Sequence, residues 1–383
     1  MRVGIVAVAQ NRFGDYPEWR PHELTYLVVE DVLKKAGLPF RDGYDDIVTC
    51  SSDHWDGKTL SDIEHGEVAG AHLGPGETKV SLDGANAVLL GYIKVLSGHA
   101  DVVLVTAACK ENQVMDPSVI ENFGFDVPYH QLLGLDFTQA AALQATSYMH
   151  KFGLKREDFA EVAVKGLKNA KDNPYFFNGG DMTVEEVLGS QMLSYPITSV
   201  ERRPFCDGAC ALILAKEERA RELTDRPVWI RGVGSCYDHH NLGDRDLTEP
   251  TALFRAARDA CGMAGLKAPD KEIDVFEISE HYSYQLLLWM EGLGLCARGE
   301  AAKLLRAGEL DRGGRMPVNP SGGLLGGVPR YVAGANRVIE AFYQLRGEAE
   351  GRAMPREPRV ALAHGTYGPA GQHHCVIILE RGF

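Results

Sequence analysis

The sequence lacks any apolar run near the roughly 18–20 residues that a membrane span needs, and it lacks excess positive charge. Its net charge of −13 argues against wrapping nucleic acid, while leaving room for a local basic pocket that takes a phosphorylated ligand. The first residues, "MRVGIVAVAQNRFG", read as a strand and a polar turn without the apolar core and cleavage site of a signal peptide. No disulfide framework is visible in the spacing of Cys50, Cys109, Cys206, Cys210, Cys236, Cys261, Cys296 and Cys375. Several of these lie in apolar runs, so reduced thiols and a cytoplasmic setting are expected. Cys206 and Cys210 in "FCDGACALIL" offer two ligand candidates before an apolar strand, which favours core packing and no metal site. A further absence is local. "KVSLDGANAVLLGY" reads as a strand, a tight turn and a helix with an open N-terminus, a place where a helix dipole lowers a thiol pKa. Its turn holds Ser81, Leu82 and Asp83, and no cysteine.

What is present is an internal repeat in a chain of 383 residues, enough for two domains and a large core. The segments "RVGIVAVA", "HELTYLVVEDVLKKAGL" and "YDDIVTCSS" return as "WIRGVGS", "PTALFRAARDACGMAGL" and "KEIDVFEIS", with Gly4 matching Gly232 and Asp46 matching Asp274 at a constant offset of 228. "DGANAVLLGYIKVLSG" leads into "ADVVLVTA" as "AGANRVIEAFYQLRG" leads into "PRVALAHG", now at an offset of 250. The helices show three- and four-residue apolar spacing, and the strands are continuous Val/Ile/Ala runs suited to a sheet covered on both faces. The expected halves are residues 1–225 and 226–383. An insertion at about residues 111–199 contributes a helix ended by Gly153, a second stopped by Asn173-Pro174 and a third capped by Thr183. Such an excursion from an α/β core commonly covers a ligand site.

With these segments, and with "FGLKREDFAEVAVKGLKNAKDNP", "CDGACALILA" and "GRMPVNPSGGLLGG", nearly the whole chain resembles the thiolase superfamily, its sterol-carrier-protein-type and archaeal branch. The resemblance implies a duplicated α/β thiolase fold of five layers, αβαβα, with a helical loop domain. It implies acyl transfer between CoA and a β-ketoacyl thioester, with CoA as a substrate moiety and no covalently bound cofactor. The family's nucleophilic cysteine falls on Ser81. A second motif falls on Ser279-Glu280-His281-Tyr282, a Gly-His-Pro motif on Gly327-Val328-Pro329, and a C-terminal cysteine near Ala363-His364. The chain also resembles a branch that lacks the cysteine, the steroid side-chain aldolases, whose catalytic tyrosine aligns with Tyr331; another of their tyrosines falls on Ser279. The resemblance implies a homodimer through the strand before the Ser81 turn, and a small zinc-ribbon/OB-fold partner.

Read from the residues, Glu280, His281 and Tyr282 follow the strand "IDVFEI" and form an acid–base set at a strand's C-terminal end; the packing alternative is a polar strand end with a buried His281. Tyr331 lies at a helix start, where the dipole is expected to favour its phenolate. "AHGTYGPAGQHH" reads as a glycine turn that places His364 and Tyr367 at the site. Backbone N–H groups of Gly365 there, and of Gly322 and Gly323, are candidates for an oxyanion hole. Arg330, with Arg202 and Arg203, is a candidate for CoA phosphates or a substrate carboxylate. Ser81 serves as helix cap or substrate contact, or as a nucleophile if a base stands beside it. His54 and His65 read as incidental exposed loop histidines.

Three functions follow. The first is an enzyme that cleaves or forms a C–C bond beta to a CoA thioester by a cysteine-independent retro-aldol route. The second is a β-ketoacyl-CoA thiolase with an atypical site. The third is a non-catalytic acyl-CoA-binding scaffold.

Overall fold

The computed structural model describes residues 2–383. Its strands are β1 (Val3–Gln10), β2 (Asp46–Cys50), β3 (Gly76–Val80), β4 (Val102–Lys110), β5 (Met192–Ser194), β6 (Ile197–Thr198), β7 (Asp207–Lys216), β8 (Val228–Tyr237), β9 (Val275–Ile278), β10 (Val360–Tyr367) and β11 (His373–Arg381). The helices of ten residues or more are α1 (Pro21–Ala36), α2 (Gly84–Leu96), α3 (Phe137–Phe152), α4 (Arg156–Ala170), α5 (Thr251–Ala264), α6 (Ser283–Gly292) and α7 (Ala333–Arg346).

Nine strands hydrogen-bond in the order β3-β2-β4-β7-β1-β8-β11-β10-β9. The duplication is written in this order: β1-β7-β4-β2 in one half reappears as β8-β11-β10-β9 in the other. In each half two strands run parallel, β2 with β4 and β9 with β10, and the strand after them returns antiparallel. A short antiparallel ladder, Val3 to Ile5 against Ile230 to Val228, joins the halves. β3 is left on the edge, half-exposed.

Helix α1 packs on β1, β4 and β7, and α5 packs on β8 and β11. Between the half-sheets lie α2 and α7, touching each other and strands of both halves. This is the expected five-layer arrangement. The near-continuous apolar strands are explained by it, since β1, β4 and β2 are buried along their whole length between helices. The central helices cross closely at their N-termini. A Cβ on Gly84 would stand 2.7 Å from the Ala335 Cβ and 2.8 Å from the Tyr331 carbonyl oxygen, so the turn after Ser81 admits only glycine there.

The insertion runs from Glu111 until β7 begins at Asp207, somewhat past the expected end. Within it, α3 starts at an Asp136/Gln139 capping box and stops at Gly153 in the left-handed conformation. Helix α4 follows, and Thr183 caps the short helix Val184–Gly189. Two expectations need correction. Asp83, not Ser81, caps α2. The "AHGTYG" segment is strand rather than turn: β10 runs through Tyr367, with His364 and Gly365 paired to Val376 and Cys375 of β11. Cys206 and Cys210 are fully buried in the core. No helix among the described residues is long and apolar enough to cross a membrane.

Candidate active site

Two cavities meet at the C-terminal ends of β2, β3, β9 and β10, the end where open α/β sheets receive ligands. The outer one, of about 280 Å³, is bounded by Ser52, His54, Ser81, Phe123 and Tyr331. The inner one is a slot of about 20 Å³ between Arg202, Phe205, His281, Tyr282 and Gln285. Glu121, Phe137, Tyr367 and Gly368 border both. The insertion therefore does cover the site, supplying Glu121 and Phe137.

At the junction, the Tyr331 hydroxyl lies 2.6 Å from that of Tyr367. Ser52, just past β2, lines the outer cavity beside Tyr331. Burial raises both phenols, Tyr331 well above its ordinary value. This reverses the expectation from the helix dipole: α7 begins two residues later, and desolvation of the buried ring outweighs any dipole at its end. Tyr367 is the better seat for a negative charge. The Arg330 guanidinium and the hydrogen bond shared with Tyr331 both lower its pKa against the burial.

Arg330 is not free for a phosphate. It is buried, bonded to Glu121, 3.5 Å from Glu111, and held between the rings of Trp55 and Phe137 at 5.1 and 5.0 Å. Arg203 is likewise committed, its Nη1 donating to Glu111 at 2.6 Å. Its Nε donates to His281 Nδ1 at 2.9 Å. An arginine can only donate, so this bond assigns the His281 proton to Nε2, which faces the Thr366 carbonyl at 3.3 Å. Burial, with Arg203 and Arg330, pushes the His281 pKa well down. Neither nitrogen presents a free lone pair, so His281 lines the slot as a neutral fixture rather than a base. Tyr282 lines it too, its hydroxyl 3.1 Å from Thr138 Oγ1.

Several expected residues lie elsewhere. Glu280 reaches neither cavity. Its carboxyl accepts from Asn319 at 2.8 Å and from the Leu324 N–H at 2.9 Å, and burial raises it to about 8. A Cβ on Gly323 would meet Glu280 Oε1 at 1.9 Å, and one on Gly322 the backbone of Ala170 at 2.5 Å. Those glycines make room for packing, not for CoA. Gly365 does the same for Asp83, which a Cβ would meet at 2.0 Å. His364 is buried behind the site, 3.0 Å from His374 and edge-on to Trp289, with its pKa lowered to about 3 by burial. His65 is not exposed: it is buried against Asp56 and Thr25. His54 is exposed at the outer rim.

Ser81 faces the outer cavity, and no histidine or carboxylate hydrogen-bonds it among the described residues. A hydroxyl without a base is a poor nucleophile. Cys50 and Cys109, the thiols nearest the tyrosines, are buried, and burial pushes their pKa values well up, so neither supplies a thiolate.

Residues 234–381 match the family model "Thiolase C-terminal domain-like". The chain is 34% identical over 295 residues to the acetyl-CoA acetyltransferase of Methanothermobacter thermautotrophicus, covering 76% of each. The chain belongs to the thiolase family. This thiolase-family enzyme is also 30% identical over 364 residues to the 17-hydroxy-3-oxo-4-pregnene-20-carboxyl-CoA lyase of Mycobacterium tuberculosis, covering 90% of this chain and 92% of that one. Among solved structures it superposes on an Ltp2-ChsH2(DUF35) aldolase with a TM-score of 0.85 at 26% identity, covering 99% and 97% of the two chains.

The sequence did not single out Glu111, Glu121, Trp55, Phe137 or Ser52. The acids were legible only as two carboxylates among the many charged residues of the insertion, and their arginine partners lie 92 and 209 positions away. Nor did it single out Asp83, whose buried carboxyl accepts the N–H groups of Ala85 and Gly334 at 2.9 Å each and is raised by burial to about 7.

Proposed function

We propose that this thiolase-family enzyme breaks or forms the C–C bond beta to a CoA thioester by a retro-aldol route that needs no cysteine. The observation that carries this reading is the Tyr331–Tyr367 pair at the cavity junction, beside Arg330, where no activated serine or thiolate is available. In cleavage, the phenolate form of the pair takes the proton of the β-hydroxyl. The electrons of the Cα–Cβ bond pass to the thioester as an enolate, and an aldehyde or ketone departs. The enolate then takes a proton at Cα from the newly neutral phenol, giving the shortened acyl-CoA. In this reading a backbone N–H at Gly368, which borders both cavities, would hold the thioester oxygen where negative charge develops.

The mixture of acyltransferase and lyase names among the relatives keeps a second reading in view: thiolytic cleavage by direct attack of CoA on a β-ketoacyl ester. A non-catalytic scaffold is disfavoured by the hydrogen-bonded pair of a buried and a half-buried tyrosine, which a passive channel does not require. The reading extends to assembly. A homodimer through edge strand β3 would continue the sheet; a partner protein is supported by the ChsH2(DUF35) component in the name of the similar aldolase, and in this reading it is of the zinc-ribbon/OB-fold kind.

The test is kinetic. Tyr331→Phe is expected to lower kcat for β-hydroxyacyl-CoA cleavage by about 10²–10⁴-fold, the usual worth of a positioned acid–base group, with affinity for the CoA ester kept. Unchanged turnover would remove the tyrosine mechanism.

A further inference from the structure

The inner slot contains one guanidinium that nothing neutralises. Arg203 is matched by Glu111, and Arg330 by Glu121. Arg202 has no carboxylate within ion-pair distance among the described residues, and its Nε is buried without a hydrogen-bond partner. It lies over the Phe205 ring, 4.7 Å away, and its backbone pairs with that of Tyr282. The adjacent Glu201 is turned from it, accepting from the Thr198 N–H at 2.9 Å and the Ser283 hydroxyl at 3.3 Å. A half-buried cation left unmatched is costly, so a bound anion would compensate it.

We propose that this anion is a carboxylate on the acyl chain of the substrate, so that the enzyme acts on CoA monothioesters of dicarboxylic acids, with Arg202 as the specificity-determining residue. The inference rests on the CoA-thioester reading above. The tyrosine pair fixes where the reacting carbons lie, at the mouth of the slot, and the acyl chain extends inward past Tyr282 and Phe137. The slot's volume of about 20 Å³ accommodates one small polar group. The thioester end of the substrate would enter from the other side, through the larger outer cavity, whose rim includes the exposed Ser81 and Phe123. The planar fork of Arg202 suits bidentate contact with a carboxylate.

The experiment is calorimetric binding of succinyl-CoA, butyryl-CoA and free CoA to the full chain. The two esters have the same chain length and differ in a terminal carboxylate or methyl group. Wild-type protein is expected to bind succinyl-CoA about 10- to 100-fold more tightly than butyryl-CoA, the range for a hydrogen-bonded charged pair. Arg202→Met is expected to erase that preference and leave free CoA unchanged, and Arg202→Lys to restore part of it. Equal binding of the two esters by wild type overturns the proposal without any variant. Equal weakening of all three ligands in Arg202→Met also overturns it, assigning Arg202 to a CoA phosphate. Because only binding is read, a failed tyrosine mechanism leaves this result intact. Failure of all three ligands to bind removes the thioester reading and this inference together.

Discussion

Tyr331 and Tyr367 share a hydrogen bond, and in the proposed mechanism the shared proton makes them one unit. Tyr367→Phe is therefore expected to cost as much as Tyr331→Phe, and the double variant scarcely more than either, measured as kcat/KM on one β-hydroxyacyl-CoA. Full additivity would mean that the two hydroxyls contribute independently. Burial raises both phenols, so at neutral pH the pair is almost wholly protonated and its phenolate form is scarce. Cleavage is expected to gain about tenfold in kcat/KM per pH unit through the alkaline range. A flat alkaline profile would exclude phenolate as the base. Ser81→Ala should leave activity within about twofold, since no base activates that hydroxyl. At this scale the sequence revealed which residues the fold brings to the cavities better than what each touches there. Tyr331, Tyr367, His281 and Tyr282 do converge, but the His281 tautomer and the Arg330 ion pairs depend on Arg203, Glu111 and Glu121, contacts that no local pattern encodes.

At the scale of elements, helices α2 and α7 begin against one another, and the Asp83 carboxyl takes an N–H from each. Asp83→Ala removes a cap and leaves two buried donors unpaired. A loss of about 3 kcal/mol in unfolding free energy is expected by denaturant titration. The folded pKa of about 7 lies above the ordinary carboxyl value of 3.8. Its contribution is therefore fully present below about pH 4 and is lost as the pH rises through about 7. Compared with wild type, Asp83→Asn should lose that part of the slope of stability against pH, and an unchanged slope would place the titration elsewhere. The helices and strands themselves were legible, because their apolar periods and the caps at Gly153 and Thr183 are local. The error over "AHGTYG" came from reading glycine as a turn signal, when Gly365 is there to clear Asp83 on the neighbouring element.

For the whole molecule, the duplication was readable from the 228-residue offset, and the strand order repeats it. What the offset could not convey is that the half-sheets join through a ladder of only three residue pairs, leaving α2 and α7 as the main bond between them. The free edge of β3 predicts a solution mass twice the chain's 41.9 kDa by light scattering; a monomeric mass in the absence of partner would contradict assembly through that edge. The central claim is chemical, and product analysis tests it most directly. Purified protein, with any co-encoded partner, would be given matched β-hydroxyacyl-CoA and β-ketoacyl-CoA esters, with and without free CoA, and the products weighed by mass spectrometry. The account predicts an aldehyde or ketone and a shortened acyl-CoA from the hydroxy ester without added CoA. Cleavage of the keto ester alone, and only when CoA is supplied, would contradict it.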